Sequence, residues 1–436
     1  MDNLARMKAI YGQFDKDREI PESEYVDFDL VRGESVLAPL RQRFIFAREG
    51  ETCSQLFAGG RGSGKTTELK RFQQRLKEAG FTALYIDVED TIDVNSCGFG
   101  DYLFAIAYGV RAAVEDGDVQ GDSSLKQYVR SKVEEIRGLF GARLRVPGIE
   151  LSAGLGGLEA KSAIGFERPP SSKAALSEEL EAIASDATHG VREMLTRLHK
   201  TVQGQGRHGL VLLVDGADKI SPYPPSDANT EQHVRIFAQR ATYLTRLGCH
   251  VVYSAPLSFC YSPDAQTFTR TAGVEAPIVL PNTSLDSKVT TADGSEVTGR
   301  DLFREMVAKR MTAIGEDPVK VFSDEALELA INESGGNPDA LNTIVQSAIV
   351  RMPGGPPIQA DSVERAVKEM ANGMAMQIPD AWWSVLKELK KRDRYPNKSE
   401  EAFRMGLYYH YIYQYANGEP QFEVNPVLRR LQGLDG

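Results

Sequence analysis

The chain has 436 residues, 42% hydrophobic and 26% charged, with a formal net charge of −10. That length exceeds one ordinary core and predicts two or three globular domains, while the acidic balance excludes broad adhesion to nucleic acid or anionic membrane, though not a local basic patch. The four cysteines, Cys53, Cys97, Cys249 and Cys260, show no C-x-x-C spacing, Met1–Arg6 has no apolar signal core, and no run nears the ~20 apolar residues that cross a bilayer, so a cytoplasmic protein is expected.

Residues 1–50 read as a lead-in with a helix around Val36–Phe46, entered through Val31-Arg32-Gly33-Glu34-Ser35. A core spanning 51–285 follows, opening with the strand Cys53–Ala58. Residues Gly59-Gly60-Arg61-Gly62-Ser63-Gly64-Lys65-Thr66 then match the phosphate-binding loop pattern in full. Glycines let consecutive N–H groups turn toward one anion, and the next helix, continuing through Thr67 with Leu69, Phe72 and Leu76 on one face, aims its positive end at the same place. The pattern implies nucleoside triphosphate binding, with Lys65 on the β- and γ-phosphates and the Thr66 hydroxyl on Mg²⁺.

A second strand, Leu84–Val88, and a helix from about Asp101 to Val114 precede a long interruption at 115–205. Within it Val146–Phe166 is glycine-studded and reads as a hairpin or mobile loop, and helical patterning returns near Leu176–Leu198. The insert is either a packing elaboration or a surface for a partner.

Gly209–Val214 is a continuous apolar run, typical of a doubly buried strand, and it ends in Asp215-Gly216-Ala217-Asp218. Asp215 is expected opposite Thr66, holding Mg²⁺, with Asp218 polarising the attacking water. A helix with Val234, Phe237, Ala241 and Leu244 on one face leads to the strand Cys249–Tyr253, at whose carboxyl end Ser254 either senses the γ-phosphate or caps the turn before Pro256. Arg270 follows, either reaching a neighbouring subunit's nucleotide or merely solvated, and Ala276–Leu280 makes a fifth strand.

The lid region, 286–372, reads as helices Asp301–Ile314, Ser323–Ala330 with Ser323 as N-cap, and Pro338–Arg351. Residues 373–436 form a terminal unit: a helix around Trp382–Leu389, the basic run Lys390–Arg394, the aromatic stretch Leu407–Tyr415 and a turn at Asn417-Gly418. Basic residues beside aromatics suit a nucleic-acid backbone, and equally a solvated helix end.

The loop at 59–66, Asp215–Asp218 and Ser334-Gly335-Gly336-Asn337-Pro338 together resemble the AAA+ and STAND branches of P-loop ATPases, NACHT-type proteins included, over roughly residues 25–370. The resemblance implies an α/β P-loop core with a parallel sheet of the additional-strand class, a helical lid, and a small winged-helix-like C-terminal domain. It also implies that Gly336-Asn337-Pro338 contacts the nucleotide and that Val31-Arg32-Gly33 lines an adenine pocket. Two departures stand out: Lys219 replaces a further acidic residue, and Asp339 stands where many lids carry a sensor arginine, which leaves Arg310 as a compensating candidate. The resulting expectation is a slow ATPase using ATP and Mg²⁺, homo-oligomeric and without membrane contact, that switches a separate protein effector, as in an antiviral defence system. Its rivals are a DNA-handling initiator or loader and a nucleotide-binding scaffold with little hydrolysis.

Overall fold

The computed structural model describes residues 3–32, 35–48, 50–95, 97–140, 173–222, 231–291, 294–391, 397, 400–417, 419–431 and 434, so the hairpin or loop expected at 146–166 and the basic residues 392–394 lie outside the described residues. Five strands, β1 (Ser54–Gly59), β2 (Thr82–Asp87), β3 (Leu210–Asp215), β4 (His250–Pro256) and β5 (Ile278–Leu280), form a parallel sheet in the order β2-β3-β4-β1-β5. Alternation along β3 explains the layering. Leu212 and Val214 face one apolar cluster, and Val211 and Leu213 face the other, which holds Phe57, Leu69, Phe72 and Leu76.

The first cluster is covered by three long helices, Phe99–Asp116, Ser123–Phe140 and Lys173–Gly204. The middle one fell within the stretch read as an interruption, although its buried Leu125, Val129, Val133 and Ile136 carry the i, i+4, i+8, i+11 signal of a helix face. The helix expected across Val234–Leu244 is instead a π-turn, Val234–Ala238, followed by a single α-turn at Ala241–Leu244. The wide turn seats Phe237 against Tyr102, Tyr253, Phe259 and Phe268, an aromatic packing that a regular helix would have to reach from another angle.

Helices Gly299–Ala313, Asp324–Ser334, Pro338–Arg351 and Ala360–Ala375 build the lid around their own core. Ile10 and Phe14, from the first helix (Asn3–Gln13) and its exit, are buried in that core. A small antiparallel pair, β6 (Lys288–Thr290) and β7 (Glu296–Thr298), leads into the lid, where Thr298 and Asp301 cap the first helix reciprocally. Ser323 accepts the Ala326 N–H, as its N-cap position predicts. Last, helices Trp383–Lys391 and Glu401–Tyr408 precede an antiparallel hairpin of β8 (Ile412–Asn417) and β9 (Glu419–Val424). This unit shares an apolar cluster with Ala58 and Leu257, at the carboxyl ends of β1 and β4.

Cys53, Cys97 and Cys249 are buried free thiols. No described helix is long and apolar enough to cross a membrane.

At the opposite end of the sheet His250 accepts the Cys53 N–H (3.1 Å) and stacks near Phe44, with ring centroids 4.6 Å apart. Burial lowers its pKa from 6.5 to about 4. The unfolded ring therefore binds a proton more tightly than the folded one, so its contribution is whole above pH 6.5 and is lost as pH falls toward 4, up to roughly 3 kcal/mol for this ring. Denaturation midpoints measured from pH 7 to 4 should fall, and His250→Gln should flatten that dependence.

Candidate nucleotide site

The glycine loop leaves β1 and the carboxylate turn leaves β3, both at the carboxyl edge of the sheet. Gly59 has no room for a side chain: a Cβ would lie 2.7 Å from the Leu280 carbonyl and 2.8 Å from Ser63 Oγ. Gly62 and Gly64 adopt φ of +75° and +100°, which L side chains rarely take. Helix Lys65–Glu78 starts immediately afterwards, so its first N–H groups point into the loop.

Asp215 is held by three donors. The Thr66 hydroxyl (2.7 Å) and the Tyr85 phenol (2.8 Å) both reach Oδ2, while Oδ1 accepts the Gly216 N–H (2.9 Å). Tyr85's pKa is raised by burial and by the Asp215 charge, which keeps the phenol a donor. Thr66 and Asp215 thus stand together as the loop-and-strand spacing predicts. Lys65 is almost buried, and its ammonium bonds the carbonyls of Gly59 and Gly60 (both 3.0 Å) and pairs with Asp218 at 2.9 Å. Burial works to raise the Asp218 pKa, but the Lys65 charge and hydrogen bond outweigh it and hold the carboxyl below its ordinary value. The two residues given separate roles by sequence are one ion pair here. Lys219 pairs with Glu89 on the flank.

Ser254 is fully buried and accepts the Ala217 N–H (3.1 Å), so its hydroxyl fastens the carboxylate turn rather than the turn at Pro256. Arg270 lies on the helix Ala265–Ala272 and bonds Gln266 one turn back (3.3 Å) on an exposed face. Arg310, the compensating candidate, is buried in the lid, bonds Asn342 Oδ1 (2.5 Å) and lies over the Phe14 ring, with burial lowering its pKa to about 10.

The lid closes directly on the loop. Asn337 Nδ2 donates to the carbonyl of Arg61 and to Asn282 Oδ1 (both 3.0 Å), while its own Oδ1 caps the helix Pro338–Arg351 by accepting the Ala340 N–H (3.0 Å). Asp339 N–H lies 3.4 Å from the Gly62 carbonyl, and a Cβ on Gly62 would collide with Asp339 and Asn337. Pro338 occupies the first helical turn, where its missing N–H costs nothing. From the amino side, Val31 is buried in the lid core, and Arg32, whose pKa is lowered by burial, donates to the Ser63 carbonyl (3.2 Å).

The last unit also reaches the loop, through a residue no motif marks. His410, the one described non-glycine residue with positive φ (+65°), accepts the Arg61 N–H through Nε2 at 3.1 Å. Desolvation, then the Lys65 and Arg61 charges, lower its pKa to about 3, so the ring is a neutral acceptor. The preceding Tyr408 donates to the Ile220 carbonyl (3.1 Å), just past the carboxylate turn.

The donors fit the expected ligand. Ser63 Oγ is buried without a partner among the described residues, the loop offers main-chain N–H groups, and Thr66 with Asp215 supplies the hydroxyl and carboxylate oxygens that suit Mg²⁺. A glycine loop after β1, carboxylates after β3 and this strand order define the architecture. The core has the P-loop nucleoside triphosphatase fold.

No protein-family model matches the chain, and no curated protein is similar to it. Among solved structures it is similar to a Walker-type ATPase of Pyrococcus abyssi at 12% identity, covering 97% of this chain and 99% of that one with a TM-score of 0.44. It is similar to the ORC2 protein of Aeropyrum pernix in an ADP form at 13% identity, covering 97% and 96% with a TM-score of 0.41. Drosophila ORC bound to DNA aligns at 10% identity, covering 99% and 100% with a TM-score of 0.32.

Removing Asn337 should loosen the lid. Asn337→Ala loses a helix cap, worth about 1 kcal/mol, and two hydrogen bonds of about 1 kcal/mol each. Asn337→Ser keeps a capping oxygen but not the amide donors, so its denaturation midpoint should fall between those of the wild type and the alanine variant.

Proposed function

We propose that this chain is an ATP-hydrolysing molecular switch whose lid and C-terminal unit read the state of the glycine loop. The observation that carries hydrolysis is the Thr66–Asp215 hydrogen bond at the mouth of the loop, the pairing a metal-assisted phosphoryl transfer needs. When bound, Mg²⁺ would lie against Thr66 and Asp215 and neutralise charge on the terminal phosphates. Lys65, freed from Asp218, turns its ammonium to those phosphates, and the released Asp218 carboxylate takes a proton from the attacking water. The switch follows from the loop's own contacts: Arg61 is bonded by Asn337 from the lid and by His410 from the terminal unit, so an anion seated on that backbone competes with His410. The Asp215–Asp218 and Gly336–Pro338 elements support the finer NACHT-like reading, with a homo-oligomer and a separate effector as its corollaries. ATP rather than another nucleotide rests on the same resemblance.

A second reading, an ATPase that works on duplex DNA, is favoured by the two helices and hairpin of the terminal unit, a winged-helix-like arrangement with Lys387, Lys390 and Lys391 on one helix. Against it, Arg404, Arg429 and Arg430 are engaged by Glu231, Glu423 and Glu333.

Turnover measured with and without duplex DNA, at low and physiological salt, separates these readings: stimulation that fades with salt supports the DNA reading, and indifference supports the switch. Lys65→Ala and Asp215→Ala should each reduce turnover about 10²-fold or more. Asp218→Asn should lower kcat and, by releasing Lys65, tighten nucleotide binding; tighter nucleotide binding with unchanged kcat would show that Asp218 only restrains Lys65. His410→Ala should tighten nucleotide binding about fivefold, the worth of one hydrogen bond of about 1 kcal/mol, read by fluorescent-nucleotide titration.

A further inference from the structure

We propose that Tyr85 is a positioning residue of the metal centre, its phenol fixing the Asp215 carboxylate in the orientation a divalent cation needs. The proposal rests on the ATPase reading and adds a residue from a strand that the motifs do not include. In the β2–β3 register Tyr85 lies opposite Leu213 and Asp87 opposite Asp215, so the phenol reaches two positions along the neighbouring strand to Oδ2. The same oxygen takes the Thr66 proton, and Oδ1 takes the Gly216 N–H. Each donor therefore comes from a different element: the loop helix, the edge strand and the carboxylate turn.

These three donors are not equivalent once a cation arrives. Thr66 would itself serve as a ligand, so its hydroxyl would be repositioned by coordination. Gly216 moves with Asp215, being the next residue. Tyr85 alone is anchored elsewhere, in β2, where the Lys70 ammonium sits over its ring at 5.5 Å. It fixes the carboxylate plane against rotation without itself touching metal or nucleotide. A phenylalanine would fill the same space, so the hydroxyl's role is separable from the ring's.

The test compares wild type with Tyr85→Phe, using Mn²⁺ as the probe ion. Bound Mn²⁺ is counted by electron paramagnetic resonance in the presence of ADP, and ADP affinity is measured separately in EDTA. The expected result is a five- to tenfold weaker Mn²⁺ affinity, unchanged ADP affinity in EDTA, and an ATPase Mg²⁺ requirement displaced upward by the same factor with turnover restored at saturating Mg²⁺. In the background of Asp215→Asn the phenylalanine change should add no further loss. Mn²⁺ affinity within twofold of wild type, in protein whose circular dichroism is native, overturns the proposal and leaves the ATPase reading intact. Absence of ADP binding and turnover in the wild type overturns the ATPase reading and the proposal with it. Tyr85→Met gives the same comparison with a flexible side chain should the phenylalanine variant misfold.

Discussion

The main-chain polar groups of the loop Gly59–Gly64 are the constraint around which the rest is arranged. A loop nearly free of side chains cannot satisfy its own carbonyls and N–H groups, and buried ones left alone are costly. In this chain they are met from every direction: Lys65 takes the carbonyls of Gly59 and Gly60, Asn337 that of Arg61, Arg32 that of Ser63, and His410 accepts the Arg61 N–H. The amino-terminal segment, the lid and the terminal unit therefore have one common point of attachment.

Apolar packing makes those attachments affordable. The lid core includes Ile10 and Phe14 from the chain's start and Val427 from its end, while the terminal unit buries Phe403, Leu428 and Ile412 with Ala58 and Leu257 of the sheet edge. Burial is non-directional and supplies most of the stability; the few hydrogen bonds at the loop choose which arrangement that burial locks.

Local chemistry was legible in the sequence, as was the distant pairing of Thr66 with Asp215 that two motifs announce; other distant pairings were not. The glycine loop, the apolar β3 run ending in Asp215 and the Ser323 cap are written in neighbouring residues. Arg310 was also readable: it continues the face of Leu302, Phe303, Met306 and Val307 at helical spacing, which places it in the lid core instead of at a phosphate. His410 and Tyr85 were not, because their partners lie 349 and 130 positions away. No periodicity links such positions; only the sheet order and the folding back of the terminal unit bring them together. Asn337 falls between: the resemblance puts Gly336-Asn337-Pro338 at the nucleotide, but nothing in the sequence names the Arg61 carbonyl, 276 positions away, as its partner.

Two successive left-handed glycines, Gly335 and Gly336, join the lid helices Asp324–Ser334 and Pro338–Arg351. The first gives its carbonyl to the Tyr415 phenol (2.7 Å), and the second packs so tightly on Thr283 that a methyl group would strike its carbonyl. A pivot made this way has almost no play: its backbone is pinned on one side by the hairpin and on the other by the segment that follows β5. On the switch reading, the helix of 14 residues that starts there, roughly 20 Å long, would swing as a rigid arm about this point when the loop moves.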